Sequence, residues 1–368
     1  MIKRALLSLT LTFLTFPCRA QDLKIDFMDV GQGDGAVLVS PGGESVLFDD
    51  GRYRFCDKPL RTLRHLGLDH IDYLIASHYH ADHIGCTQDV LEQFPLRKAA
   101  YDRGGSYPGA VYDGYVQAVG ILRHTATKGQ IITLDAASPK PVRIQIAALD
   151  GNGIQTTNEN DLSLVSVVHY GNFDAEIGGD LSGVATGDYL DIESGVAPSV
   201  GQVEVYKVHH HCSRYSTNGN WLDVTRPEVG IVSDGDGNTF GHPTAECLER
   251  LHEAGVKVFW TERGQGAEPE PGLDTVCGNI VVTAGPADDF FTVTCGDAAP
   301  QRFPFWGSAA TPSSPTTEYA WSSRSPVYHY AQCADVRRIK PASLERGTTP
   351  PQGRTLHPGC PKAQHDNQ

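Results

Sequence analysis

The run IDYLIASHYHADHIG, residues 71–85, decides how the rest of the chain is read. Its first seven residues are mostly apolar, short and bounded by polar residues, which predicts a buried strand over 71–77. That strand delivers His78 and His80 at a two-residue spacing, so both imidazoles can point to one side. Asp82 and His83 follow at the start of a segment expected to be helical over 82–94. Four metal-binding side chains therefore converge just past one strand end. Imidazole and carboxylate suit zinc and also accept manganese or iron. Gly85 removes a side chain immediately behind the cluster. A solvated His-rich turn would explain a lone histidine there, but it explains H-x-H-x-D-H after a buried strand poorly.

These residues cannot enclose two cations unaided, so further ligands are expected at later strand ends. Asp180 ends the run FDAEIGGD, where Gly178 and Gly179 permit close backbone approach, and a carboxylate can bridge two cations where an imidazole cannot. The competing reading is an ordinary turn aspartate. A second probable strand, VEVYKV, runs into His209, His210 and His211. If extended, these alternate in direction, so one or two face the site and the rest face away. His242, in the Gly-rich stretch VSDGDGNTFGHP, is placed to contact substrate or donate a proton, with capping or packing as its bland alternative. GQGDG at 31–35 lacks the spacing of a nucleotide-binding loop and reads as a turn.

The surrounding chain is that of a globular protein. Of 368 residues, 40% are apolar or aromatic and 20% charged. Residues 1–20 carry Lys3 and Arg4 ahead of an apolar run, then Ala20, and are expected to be a signal peptide. The run falls short of the ~20 residues that a spanning helix needs. A secreted or periplasmic location is therefore expected, with no membrane attachment after cleavage. Removing residues 1–20 also removes Cys18 and leaves an even number of cysteines, as suits disulfides. Cys277 and Cys295 flank two apolar segments and are expected to pair, as are Cys333 and Cys360. Cys56, Cys86, Cys212 and Cys247 cannot be assigned partners. The net charge of −14 argues against extended nucleic-acid binding, though not against a small anionic substrate drawn to a local metal pair.

Further strands are expected at 141–149, 163–169, 202–208, 229–232 and 256–260, and helices near 59–66, 112–124 and 244–254. A hydrolase domain is assigned to 22–297. A Pro/Ser/Thr-rich linker is assigned to 298–325 and a small Cys/His-containing module to 326–368. In that last segment His329, Cys333, His357 and Cys360 could bind zinc, with a disulfide as the blander alternative.

Several motifs in order resemble the metallo-β-lactamase-fold hydrolases, in particular the branch similar to the hydrolase domain of ComEC-type DNA-uptake proteins and to bacterial phosphorylcholine esterases. They are DVGQGDGAVL from Asp29, an apolar strand ending in Asp49 and Gly51, and the cluster itself. N-D-x-S-L-V from Asn160, G-D at Gly179 and Asp180, K-V-x-H-H ending in His211, and G-H-P around His242 complete the series. The resemblance implies an α/β fold, a four-layer αββα sandwich with a short C-terminal appendage. It also implies two divalent metal ions. His78 and His80 would lie on one, Asp82 and His83 on the other, Asp180 between them, His211 on the second and Asp161 on the first. Asp82, His210 and His242 are the candidate catalytic side chains, Asp49 would orient the cluster, and Asp34 would support the adjoining loop. Three departures stand out: His80 where the branch often has Asp, Cys212 where a Gly usually follows the H-H pair, and G-G-D for T-G-D.

The resemblance implies hydrolysis of a phosphodiester by a metal-bridging hydroxide. Three rival readings stand beside it: hydrolysis of a lactone, thioester or β-lactam, iron-based oxidation, and a non-catalytic metal-bearing DNA-binding module.

Overall fold

The structure, a computed structural model, describes residues 22–286, 288–305, 319–323, 325–330, 343–347 and 351–356. The expected signal peptide, Cys333, His357 and Cys360 lie outside these. The chain divides into two compact units, 1–308 and 309–368.

In the first unit the elements run β1 (Leu23–Phe27), β2 (Gly35–Val39), β3 (Ser45–Asp50), α1 (Asp57–His65), β4 (Ile71–Ile75), α2 (Thr87–Gln93), β5 (Leu96–Asp102), α3 (Ala110–Val119) and β6 (Arg123–Thr125). Then come β7 (Ile131–Leu134), β8 (Val142–Ala148), β9 (Val165–Tyr170), β10 (Phe173–Ile177), α4 (Glu193–Val200), β11 (Val205–Lys207), α5 (Gly219–Thr225) and β12 (Val229–Val232). The unit closes with α6 (Ala245–Glu253), β13 (Lys257–Trp260), β14 (Asp274–Val276), β15 (Ile280–Ala284), β16 (Phe290–Cys295) and β17 (Gln301–Pro304).

Two sheets result. One has the order β17-β16-β15-β1-β2-β3-β4-β5-β6 and the other β14-β13-β12-β11-β10-β9-β8-β7. Each begins as an antiparallel meander and continues with parallel strands, β4 to β6 in the first and β11 to β14 in the second. Ile25, Phe27, Phe48 and Ile75 of the first sheet meet Ile144, Val168, Phe173, Val205 and Phe259 of the second in one buried cluster. The opposite faces are covered by helices. Leu60, Leu63, Val90 and Tyr115 from α1, α2 and α3 pack on one sheet, and Val196, Trp221 and Leu251 from α4, α5 and α6 on the other. The architecture is the expected four-layer αββα sandwich, with helices held on by buried apolar faces rather than by propensity.

Three elements depart from expectation. The helix expected over 82–94 begins only at Thr87. The Asp82 and His83 carbonyls instead accept from Asp34 N–H at 3.0 Å and Asp50 N–H at 2.7 Å, which removes them from any helical ladder. The helix expected over 112–124 starts at Ala110 and stops at Gly120, whose φ is 53°, and β6 follows by pairing with β5. Within the expected linker 298–325, residues 301–304 pair with β16 as β17. Disulfides join Cys56 to Cys86, Cys212 to Cys247 and Cys277 to Cys295. No helix among the described residues is long and apolar enough to cross a membrane.

The second unit contains a four-stranded sheet of β18 (Tyr319–Ser322), β19 (Val327–Tyr330), β20 (Leu344–Gly347) and β21 (Thr355–Leu356), in the order β20-β18-β19-β21. His329, in β19, is buried.

Candidate metal centre

The histidine segment leaves the carboxyl end of β4, where ligands collect in open α/β sheets. Asp49, at the end of β3, accepts from Ser77 N–H at 2.8 Å and from Ser77 Oγ–H at 2.6 Å. It also accepts from His83 Nδ1 at 2.8 Å, while His78 Nδ1 lies 3.1 Å from Ser77 Oγ and donates to it. One carboxylate thus orients two imidazoles and leaves both Nε2 lone pairs facing inward. His211 Nδ1 donates to the Ser233 carbonyl at 2.9 Å, at the end of β12, which turns its Nε2 inward too. Asp180 arrives from the end of β10 through two glycines. A Cβ on Gly179 would stand 2.6 Å from Ser77 Oγ, so only glycine fits there.

Two ligand sets follow. His78, His80 and Asp180 form one, and Asp82, His83 and His211 the other, with the donor atoms of each lying within 4.8 Å of one another. Asp180 stands between them. Its Oδ2 is 3.9 Å from His78 Nε2 and 3.5 Å from His211 Nε2, and its Oδ1 is 3.3 Å from His83 Nε2. His83 Nε2, His211 Nε2 and Asp180 Oδ1 are all buried without a hydrogen-bond partner among the described residues. Buried polar atoms are rarely left so, and three of them around one space fit divalent cations as the missing partners. Asp34 also approaches His83 and His211, but from their Nδ1 side, and it is ion-paired with buried Lys207. It also groups with Asp49 and His83, and with Asp180 and His211, at metal-ligand spacing.

The electrostatics agree. Burial pushes His83 and His211 down, but Asp180 and Asp34 outweigh it for both, with Asp49 adding to His83, and hold them well above the usual imidazole range. Burial pushes Asp180 up, and His211, His83 and His210 more than reverse this, leaving it well below the usual carboxylate range. His78 is lowered by burial and by neighbouring His83. Divalent ions would take the place of the protons on His83 and His211.

His210 and His242 line an adjoining cavity of about 590 Å³ with His80, Asp82, Asn160, Tyr107, Tyr189, Tyr215 and Phe240. The His242 ring centre lies 5.6 Å from that of His210 and 6.0 Å from that of His211. Burial lowers both imidazoles, His210 to about 4 and His242 to about 3, with His211 adding to each shift. His209 faces the other way, its two ring nitrogens 2.8 Å from Glu193 and 3.1 Å from Glu176. Asp161 is not brought to either ligand set. Its carboxylate accepts from Thr156 Oγ1 and Leu190 N–H, both at 3.2 Å. Its neighbour Asn160 takes the place beside the site, with Nδ2 donating to His210 Nε2 at 3.3 Å. Sequence reasoning gave Asn160 no role, although it heads the N-D-x-S-L-V motif. It also missed the aromatic walls, which stand on loops without a period.

Residues 29–233, more than half of the chain, match the model of the metallo-beta-lactamase superfamily, and the chain belongs to that superfamily. Its fold and site are those of a metal-dependent hydrolase. Among curated proteins it is 24% identical over 277 residues to ComE operon protein 3 of Bacillus subtilis, covering 69% of this chain and 34% of that one. It is 28% identical over 233 residues to recombination protein 2 of Haemophilus influenzae, covering 62% and 26%. The chain thus spans about a third or less of the length of these relatives. Among solved structures, the metallo-beta-lactamase fold protein YhfI from Bacillus subtilis is 11% identical with a TM-score of 0.41, covering 70% of this chain and 98% of its own. A diphosphatase of the PhnP family is 10% identical with a TM-score of 0.39, covering 69% and 95%.

Proposed function

We propose that the chain is an exported two-metal phosphodiesterase. His78, His80 and Asp180 would hold one divalent ion and Asp82, His83 and His211 the other, with zinc the best match to the donors and manganese or iron also accommodated. The observation that carries this reading is Asp180, one carboxylate with unpartnered oxygen facing histidines of both sets. A bound metal pair supplies a water acidified to hydroxide near neutral pH and neutralises charge on a phosphoryl oxygen.

The protein's own groups do the rest. Asp49 and Ser77 hold His78 and His83 in register. Asp82, the more exposed of the carboxylate ligands, is placed to accept the proton of a nucleophilic water. His210, steadied by Asn160, and His242 make the polar wall on which a phosphoryl oxygen or the leaving group would rest. Tyr107 and the Tyr189/Tyr215 pair, whose rings stack at 4.3 Å, line the cavity and would offer aromatic faces to an aryl or nucleoside group. The resemblance to the hydrolase domain of ComEC-type proteins and to phosphorylcholine esterases supports a phosphodiester, and three disulfides among the described residues support an oxidising compartment.

The test is metal analysis of protein purified without added metal, with turnover of bis(p-nitrophenyl) phosphate, a lactone and nitrocefin. Two metals per chain and preferential phosphodiester turnover are expected. Faster turnover of nitrocefin or the lactone would move the reading to carbonyl hydrolysis. Stoichiometric iron with oxygen consumption would replace hydrolysis altogether.

A further inference from the structure

His210, His211 and Cys212 occupy three consecutive left-handed conformations, with φ of 50°, 53° and 59°. Non-glycine residues are disfavoured in this region, so a run of three needs outside support. Part comes from hydrogen bonds: His210 N–H to the Gly179 carbonyl at 3.3 Å and Ser213 N–H to the His210 carbonyl at 2.8 Å. The remainder converges on Cys212. Its carbonyl accepts from Thr244 N–H at 2.9 Å and Thr244 Oγ1 at 3.1 Å, and its sulfur is bonded to Cys247 in α6. Both cysteines are fully buried in the core under α6. Thr244 and Cys247 belong to the segment that begins with His242, so the same tie fixes His242 relative to His211.

We propose that the Cys212–Cys247 disulfide is a positioning device for the second metal ion. It holds, with a side chain at position 212, a left-handed turn that glycine would adopt unaided, and so aims His211 Nε2 at Asp180 and Asp82. This rests on the two-metal reading above. The Cys277–Cys295 disulfide, which joins the residue after β14 to the last residue of β16, is the natural control, because none of the proposed ligands is near it in sequence.

Three double variants decide the matter, with affinity for each zinc ion measured by competition with a chromophoric chelator. Cys212→Ala with Cys247→Ala breaks the link but keeps a side chain in the left-handed position. It should weaken the second ion about 10- to 100-fold, the loss usual when a ligand loses its support, and leave the first within about twofold. Cys212→Gly with Cys247→Ala should restore the second ion to near wild type. Cys277→Ala with Cys295→Ala should lower thermal stability without changing either affinity. No loss in the alanine pair, or equal loss in the alanine and glycine pairs, overturns the proposal. If the alanine pair does not fold, the glycine pair decides alone: near-wild-type affinity for both ions supports the device, and a tenfold loss refutes it. Wild type measured alongside separates the two readings, since a wild-type chain binding fewer than two ions refutes the metal pair itself.

Discussion

Asp180 is the side chain on which most depends. Asp180→Asn keeps its shape but removes the charge shared by both ligand sets. It should bring phosphodiester turnover down about a hundred- to a thousandfold, the scale of losing a principal electrostatic stabiliser, and reduce metal content by atomic absorption. The adjacent pair Asn160 and Asp161 should separate cleanly. Asn160→Ala should impair turnover with metal content kept, whereas Asp161→Asn should leave both unchanged and cost only the bonds to Thr156 and Leu190. A metal-depleted Asp161→Asn protein would restore Asp161 as a ligand. Asp26, in β1, is buried with an unpartnered Oδ1, and burial raises its carboxyl to about 7, against the lowering effect of Lys24 and Asn279. A raised folded value means that its contribution is intact below the usual 3.8 and is lost as pH climbs through about 7. Asp26→Asn should therefore stabilise the protein near pH 8, by up to about 4 kcal/mol, and do nothing near pH 4. Urea melts at the two pH values measure it.

At the scale of elements, local and periodic signals were readable and oriented turns were not. The cluster at residues 78–83 was legible because all its ligands follow one apolar strand. The strand at 229–232 and the helix near 244–254 were legible from their apolar pattern. The run 209–211 was read as alternating only if extended, with one or two histidines facing the site. It is a left-handed turn in which two do, His210 and His211, while His209 is clamped by Glu176 and Glu193. No period shows which of the three faces away. Asn160 and Asp161 sit on a single 3-10 turn, where neighbours point apart and pattern cannot choose between them. Helix α4 went unseen because Gly195 and Pro198 lower its propensity, and its formation depends on burying Val196, Ala197 and Val200. The loop aromatics carry their own test. Tyr189→Ala should raise KM for an aryl phosphodiester several-fold while changing kcat little, because it removes a binding wall and no metal ligand.

For the whole molecule, the first sheet supplies His78, His80, Asp82 and His83, and the second supplies Asp180 and His211. Ions bound at this seam stabilise only the state in which both sheets are docked. Chelation should therefore lower the melting temperature by several degrees, reversibly on adding zinc. The expected loss is about 3–4 kcal/mol at metal concentrations far above Kd. An unchanged melting temperature would mean that the ligand atoms hold nothing.

The path of the chain through the first sheet has one further consequence, for synthesis. Strand β1 lies between β2 and β15, yet β15 begins only at Ile280. Asn279, just before it, accepts from the Asp29 N–H at 3.0 Å and donates to Thr62 Oγ1 at 3.0 Å. A nascent chain halted before this point already carries each proposed ligand, but one edge of β1 is bare and the loop after it lacks its anchor. Such an edge is a template for pairing with other chains. The protein should therefore be most prone to clump in the interval before β15 and β16 emerge, and a chain ended after Cys277 should collect in the insoluble fraction.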